Sequence, residues 1–175
     1  ALAANPEIVA IGECGLDYNR DFSPRETQRS VLHRQLALAV ELNLPVYLHE
    51  RDASEDMLAI LQQYSVRGVL HCFTGDQHAL EQYLSLGLYI GITGWVCDER
   101  RGKSLQQLVP MLPLERLLIE TDAPFLIPRS LTPKPKSHRN EPSYLPHICQ
   151  TIASLKGLEF ATVAKQTTLN FQQLF

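Results

Sequence analysis

The chain has 175 residues, 45% hydrophobic and 20% charged, with a formal net charge of −3. This is the mix of a folded globular chain, long enough for one domain with a real core, and it excludes a disordered polymer. It also excludes a protein whose overall basic field attracts nucleic acid, so any polyanion site must be local or built with metal ions.

Short apolar runs alternate with longer amphipathic segments along the chain. "EIVAIGE" predicts a strand, and "SPRETQRSVLHRQLALAVELN" a helix with Ser23 as N-cap, Pro24 at its first position and Glu26 three residues after the cap. "LPVYLH" is a strand with Pro45 where a strand start tolerates it. "DASEDMLAILQQY" follows as a helix capped by Asp52 or Ser54, then the strand "RGVLHCF" and the helix "DQHALEQYLSLG", closed by Gly87. "LYIGITG" is the fourth strand, "GKSLQQLVPML" is helical up to Pro110, and "ERLLIETDAP" is the fifth strand. A proline-rich loop spans Ala123 to Pro142, and two helices, "SYLPHICQTIASLKG" and "EFATVAKQTTLNFQQLF", complete the chain. No apolar run approaches the ~20 residues that span a bilayer. "ALAANPEIVA" lacks the charged and apolar regions of a signal peptide. The four cysteines form no CxxC pair, which points to a reduced, cytoplasmic protein rather than a zinc ribbon.

Five strand-to-helix units in strict order imply an α/β fold with a parallel sheet and right-handed crossovers, and the continuously apolar strands suit a sheet covered on both faces. A closed (β/α)8 barrel takes about 250 residues. The chain is therefore expected to be either an open α/β sheet or the C-terminal five units, strands 4–8, of a TIM barrel whose first three units are absent. The Ala1 start favours the barrel reading, and residues 1–175 are then one partial barrel domain.

Four predicted strands end in residues that bind metals or move protons: Glu13, His49, His71 and Asp122. The C-terminal ends of barrel strands are where active sites are built. Glu13 ends an apolar run, and a carboxylate there needs a positive partner. Two imidazoles and two carboxylates at one mouth suit Mg²⁺, Mn²⁺ or Zn²⁺. The competing readings are a hydrogen-bonded core histidine, a cap, or an Asx turn at Asp122, but four such coincidences at one end of the sheet point to one shared site. Alternation turns Cys14 and Cys72 to the opposite face. Asp17 lies close to Glu13 as loop support, not as a ligand. Arg51 could hold a phosphate bidentately, against a surface ion pair with Glu55. Arg129, Lys134, Lys136, His138 and Arg139 make a cationic loop, and Arg100, Arg101 and Lys103 add charge nearby. Trp95 could stack a base, although loop packing is the default.

The segments "AIGECGLDY", "PVYLHERDA", "GVLHCFTG", "YIGITGW", "LLIETDAPFL" and "RNEPSYLPHI" closely resemble the TatD family of metal-dependent deoxyribonucleases, in order and spacing across the whole chain. "ITGWVCDERRG" resembles the namesake branch of that family. The resemblance implies an amidohydrolase-like (β/α)8 barrel. It implies a hydrolase of phosphodiester bonds in single-stranded DNA or RNA, with 3′–5′ exonuclease action and a place in DNA repair or degradation. It implies one or two divalent ions per site, Mg²⁺ first, with Mn²⁺ or Zn²⁺ as alternatives. By motif, Glu13, His49 and His71 are ligands, Glu13 and Asp122 are catalytic, and Asp122 is a ligand or base. Arg139, Asn140 and Glu141 of "RNEP" fall near the substrate cleft, beside Arg51. The family's "HxH" and "GxHPH" strands have no counterpart here, so an upstream segment with "HPH" is expected, and the full-length enzyme is expected to be a monomer with no membrane partner. Two other readings stay open: an amidohydrolase acting on a C–N bond, and a non-catalytic metal- or nucleic-acid-binding fragment.

Overall fold

Apolar runs and turn residues set the element boundaries in the computed structural model, which describes residues 2–175. The Cα packing divides the chain into two compact units. One holds the residues up to His71 together with His78–Tyr89 and Leu174–Phe175; the other holds Cys72–Gln77 and Ile90–Gln173.

In the first unit, β1 (Ile11–Asp17), β2 (Val46–Arg51) and β3 (Gly68–Leu70) run parallel, alternating with α1 (Arg25–Leu42) and α2 (Ser54–Leu61). The register pairs Ile11 with Val46, Gly15 with His49 and Asp17 with Arg51, and Val46 with Gly68 and Leu48 with Leu70. Leu16, Val46, Leu48, Val69 and Leu70 are buried, as strands covered on both faces require. Leu32, Leu36 and Ala39 recur at four- and three-residue spacing, so α1 buries one stripe, and it packs against β1. Each such leucine removed from water contributes about 1.5–3 kcal/mol. Asn43 ends α1 in the left-handed region, with its N–H on Val40 O and the Leu44 N–H on Ala39 O, the bond pair of a Schellman cap.

The expected helix starts differ in detail. Pro24, not Ser23, occupies the cap position of α1, and no side chain caps it. Gln28 serves the approach instead: its Nε2 donates to Ser23 O (2.8 Å) and Asp17 O (3.2 Å), and its Oε1 accepts the Asp17 N–H (2.9 Å). Neither Asp52 nor Ser54 caps α2; Ala53 holds that position, and its N–H donates to Glu50 Oε1 at 2.7 Å. β1 also starts later than expected. Ile8 and Val9 are exposed in a turn tied to Asn5, and pairing begins at Ile11, whose N–H reaches Pro45 O.

α3 (Gln77–Ser85) and β4 (Tyr89–Ile92) follow. In the second unit, β4 residues pair in parallel with β5 (Leu117–Ile119), Ile90 with Leu117 and Ile92 with Ile119. α4 (Lys103–Leu108), α5 (Leu145–Lys156) and α6 (Phe160–Leu174) complete the order. Lys156 Nζ donates to Val109 O and Leu112 O, closing the turn after α4. The fully buried Asn170 donates to Leu114 O and Leu117 O, fixing the entry to β5. Buried amides with every donor engaged specify a loop path rather than add bulk stability. Among the described residues no helix is long and apolar enough to cross a membrane, and all four cysteines are free thiols.

Candidate metal centre

Glu13, His49 and His71 converge in the first unit, and among the described residues they form a group able to hold a metal ion. Their placement corrects the strand-end expectation. Glu13 is the third residue of β1, which runs on to Asp17; His49 is the fourth of β2; His71 follows the last residue of β3. What brings them together is a bulge. The register slips between Gly12 and Cys14, leaving Glu13 as the extra residue, opposite no partner on β2. Ile11, Cys14 and Leu16 are buried while Gly12 and Glu13 are both exposed, a pair of outward residues that strict alternation forbids. The Gly12–Glu13 peptide is cis. Gly15 matters for the neighbouring strand: a Cβ there would run into the His49 carbonyl oxygen.

The three donor atoms form a nearly equilateral triangle. Glu13 Oε1 lies 3.0 Å from His71 Nε2 and 3.1 Å from His49 Nδ1, and the two ring nitrogens are 3.2 Å apart. Ligand atoms about 2.1 Å from a divalent ion lie about 3.0 Å apart in octahedral and about 3.4 Å apart in tetrahedral geometry, so these edges fit an ion coordinated on one face. Two imidazole nitrogens and a carboxylate suit Zn²⁺ or Mn²⁺ and, less commonly, Mg²⁺. Tyr47 stacks on the His71 ring at 5.1 Å between centroids and so sets its plane.

The electrostatics differ from a buried, costly carboxylate. The Glu13 side chain is 52% exposed, while those of His49 and His71 are 28% and 7% exposed. Hydrogen bonding to His49, then to His71, holds the Glu13 carboxyl well below the usual carboxylate range and outweighs its partial burial. It is thus an anion ready to ligate. Cys14 stands apart: its thiol makes weak bonds to Ile11 O and Tyr47 O, and burial, with the Glu13 charge adding, pushes it up to about 11. A protonated thiol is no ligand, as the alternation implied.

Two residues that support the site were undervalued in the sequence. Asp17 Oδ2 lies 3.2 Å from His49 Nε2, on the far side of the ring from the triangle. Its signal was present, since alternation from Glu13 carries Gly15 and Asp17 on the same face once β1 extends that far. Glu50 links the N-terminus of α2 to the fully buried Tyr83, whose hydroxyl donates to Glu50 Oε2 at 3.4 Å, and so braces the strand end next to His49. Burial, opposed by the Ala53 amide, leaves the Glu50 carboxyl above its usual value.

The remaining expected residues are placed as follows. Arg51 ends β2, two residues beyond His49 on the same strand face, and makes no ion pair with Glu55 among the described residues. Asp122 belongs to the second unit, in the left-handed region (φ 56°), with its carbonyl accepting the Phe125 N–H. In the same unit Asn140 is 1% exposed and donates to Thr121 O and Phe125 O, on either side of Asp122. Arg139 and Glu141 flank it and are exposed. Some of the expected cations are paired at the surface: Arg129 of the cationic loop pairs with Glu99 (3.1 Å) and approaches Asp98, and Arg101 bonds Asp98 while covering the Trp95 ring at 4.5 Å. Trp95 thereby has the packed role of the default reading.

Comparison with known proteins shows the family of the chain. The family model described as "TatD related DNase" matches residues 1–175. The chain is 55% identical to the "3′-5′ ssDNA/RNA exonuclease TatD" of Escherichia fergusonii over 99% of its length, and 54% identical to the Escherichia coli (strain K12) protein of the same name, in each case spanning 68% of the relative. Two solved structures share the fold. The TatD homologue YJJV from Escherichia coli K12 has a TM-score of 0.86 at 30% identity, over 96% of this chain and 64% of that one. A TatD family hydrolase from Entamoeba histolytica has a TM-score of 0.86 at 29% identity, over 96% and 63%. The chain thus spans just under two thirds of those two solved chains. The parallel α/β architecture, the Glu13–His49–His71 centre and the match over every residue establish that this chain belongs to the TatD-related DNase family.

Proposed function

We propose that the protein hydrolyses phosphodiester bonds of single-stranded DNA or RNA from the 3′ end, with a divalent ion held by Glu13, His49 and His71. The observation that carries this reading is the 3.0–3.2 Å triangle of donor atoms, joined to the 55% identity with a 3′-5′ ssDNA/RNA exonuclease. An ion there supplies Lewis-acid activation of water and offsets charge developing on the phosphoryl oxygens. The chain's own residues do the rest. Glu13 ligates as an anion, and its negative charge offsets the ion's. His49 and His71 fix the coordination face through their ring planes. Asp122 takes the proton of the attacking water or adds a ligand. Arg51 and Arg139 hold backbone phosphates, Glu141 takes part in substrate binding next to Arg139 in the chain, and Asn140 acts by holding the loop on either side of Asp122. Mg²⁺ is the first ion to test, and the two imidazoles favour Mn²⁺ and Zn²⁺ as comparisons.

The five strand–helix units correspond, on this reading, to strands 4–8 of an eight-stranded barrel, with residues 1–175 as one partial barrel domain. The matched share of the relatives supports this. A monomeric, cytoplasmic enzyme acting in DNA repair or degradation belongs to the same proposal.

The test is a 5′-labelled single strand incubated with the protein and Mg²⁺, Mn²⁺ or Zn²⁺. Stepwise 3′ shortening is expected, abolished by a chelator and reduced at least 100-fold in Glu13→Ala, whose thermal unfolding should be unchanged or raised because Glu13 is half-exposed. Shortening at wild-type rate by a purified Glu13→Ala protein would sink the assignment. A parallel assay on cyclic amides, with no turnover expected, separates the C–N hydrolase alternative.

A further inference from the structure

We infer that Phe125 is a base-stacking residue, its ring taking the face of an unpaired base while Arg139 beside it holds that strand's phosphate; this rests on the reading of the protein as a single-strand nuclease. A lone exposed apolar side chain is ordinary in a folded chain. Phe125 differs in what holds it. The residue is 67% exposed, yet both of its peptide groups are tied down.

The Phe125 N–H donates to Asp122 O (2.8 Å), closing the turn from Asp122 to Phe125. Its own carbonyl accepts from Asn140 Nδ2 at 2.6 Å, and Pro124 O accepts the Asn140 N–H at 3.0 Å. Asn140 is 1% exposed; its Nδ2 also donates to Thr121 O (2.7 Å) and its Oδ1 accepts the Glu141 N–H (2.9 Å), so both polar atoms of that side chain are engaged. Asp122 (φ 56°) and Leu126 (φ 55°), before and after the ring, stand in the left-handed region, which a residue other than glycine seldom enters unless its surroundings impose it. Gly94 leaves room for this path, since a Cβ there would run into the Leu126 carbonyl oxygen. The ring thus sits on a fixed backbone and has two side-chain torsions to lose, a contact of low entropic cost.

The neighbours complete a nucleotide site. The Arg139–Asn140 peptide is the one that donates to the Pro124–Phe125 peptide, so Arg139 and Phe125, both exposed, stand on adjacent stretches of backbone. Asp122, assigned above to the attacking water or the ion, opens the turn that Phe125 closes. A cation beside a flat apolar face matches a nucleotide, which carries a phosphate and a π-face whatever its sequence. Only a base outside a duplex offers that face, so the ring selects single strands without selecting sequence. Trp95, the aromatic that the sequence suggests for this role, has its ring covered by Arg101 at 4.5 Å and its Nε1 bonded to Arg101 O (3.3 Å).

The experiment is fluorescence anisotropy at fixed Mn²⁺ with two single strands of equal length, both carrying phosphorothioate linkages at the 3′ end, one of ordinary nucleotides and one abasic throughout. Phe125→Leu keeps an apolar side chain without a π-face. It should bind the ordinary strand at least about 5-fold more weakly than wild type, and the abasic strand as well as wild type does. Phe125→Trp should bind the ordinary strand at least as tightly as wild type, and its emission, compared with that of wild type, should be quenched by that strand and not by the abasic one. Phe171→Leu, at a 57% exposed residue on α6, should change neither affinity. An equal loss on both strands by Phe125→Leu, or no loss on either, overturns the inference and leaves the nuclease reading standing. So does a wild type that binds both strands with equal affinity. A wild type that binds neither strand overturns the nuclease reading, and the role of Phe125 falls with it.

Discussion

Asp98 is 3% exposed and ionised in a segment, "WVCDERRG", whose cations read from sequence as surface charge. The structure keeps those cations at the surface but gathers them around Asp98. Asp98 accepts the N–H groups of Arg100 (2.9 Å) and Arg101 (3.1 Å) and the Arg101 Nε (3.2 Å), and Arg129 approaches at 3.7 Å. An aspartate bonding amides two and three residues on is an Asx turn, a local signal the charge count hid. Burial pushes the Asp98 carboxyl up, but the two amides and the Arg101 guanidinium outweigh it and hold the group below its usual value. A carboxylate with a depressed folded value stabilises the fold above its unfolded value, near 3.8, and loses that contribution as pH falls through the folded value. Asp98→Asn should therefore lower the urea midpoint at pH 7 by the equivalent of about 1–3 kcal/mol, with the gap narrowing as the pH drops below about 3.8. A gap that stays constant down to pH 2 would show that the charge contributes nothing. The role of this residue is to fix a loop.

Elements were legible to the extent that periodicity encodes them. All five strands and the helices between them follow the order that alternating apolar runs dictate, because burial on both faces leaves a continuous apolar signature. Two features of β1 left no such signature. Its end at Asp17 is masked by glycines at positions 12 and 15, which weaken strand propensity. Its bulge at Glu13 changes the face of one residue without changing composition. Consequently Glu13, His49 and His71, the group able to hold an ion, are legible as candidates from residue type, while the bulge that brings them together is not. Gly15→Ala tests the element directly. Its Cβ would collide with the His49 backbone, which is itself part of the site, so a loss of about 1–3 kcal/mol is expected, together with weaker Mn²⁺ binding. Gly87→Ala is the control: open space surrounds the added Cβ, but φ is +79°, so it should cost about 1 kcal/mol from backbone strain and leave Mn²⁺ affinity unchanged. Equal effects of both on Mn²⁺ affinity would detach the β1–β2 approach from the site.

At the scale of the whole chain, the order of units was readable but the division into two compact units was not, since no linker or shift in composition marks Cys72 or Ile90. Charge at this scale bears on how a polyanion is bound. With a net charge of −3, the summed field repels a nucleic acid, and affinity must come from the ion and from a few cations acting locally. Arg100, Arg101 and Arg129 are drawn onto Asp98 and Glu99, which leaves Arg51 and Arg139 as the cations the proposed function assigns to phosphates. Two such contacts on a single strand release few counterions: the slope of log K against log salt should be about −1.4, far shallower than for a basic nucleic-acid binder. The measurement is fluorescence anisotropy of a single strand with phosphorothioate linkages at its 3′ end, at fixed Mn²⁺ and varied KCl. Arg139→Ala should weaken binding by a similar factor for every sequence and reduce the slope by about 0.7. A slope several times steeper in wild type, unchanged by Arg139→Ala, would mean that the strand is held by a wider basic surface than these two arginines provide.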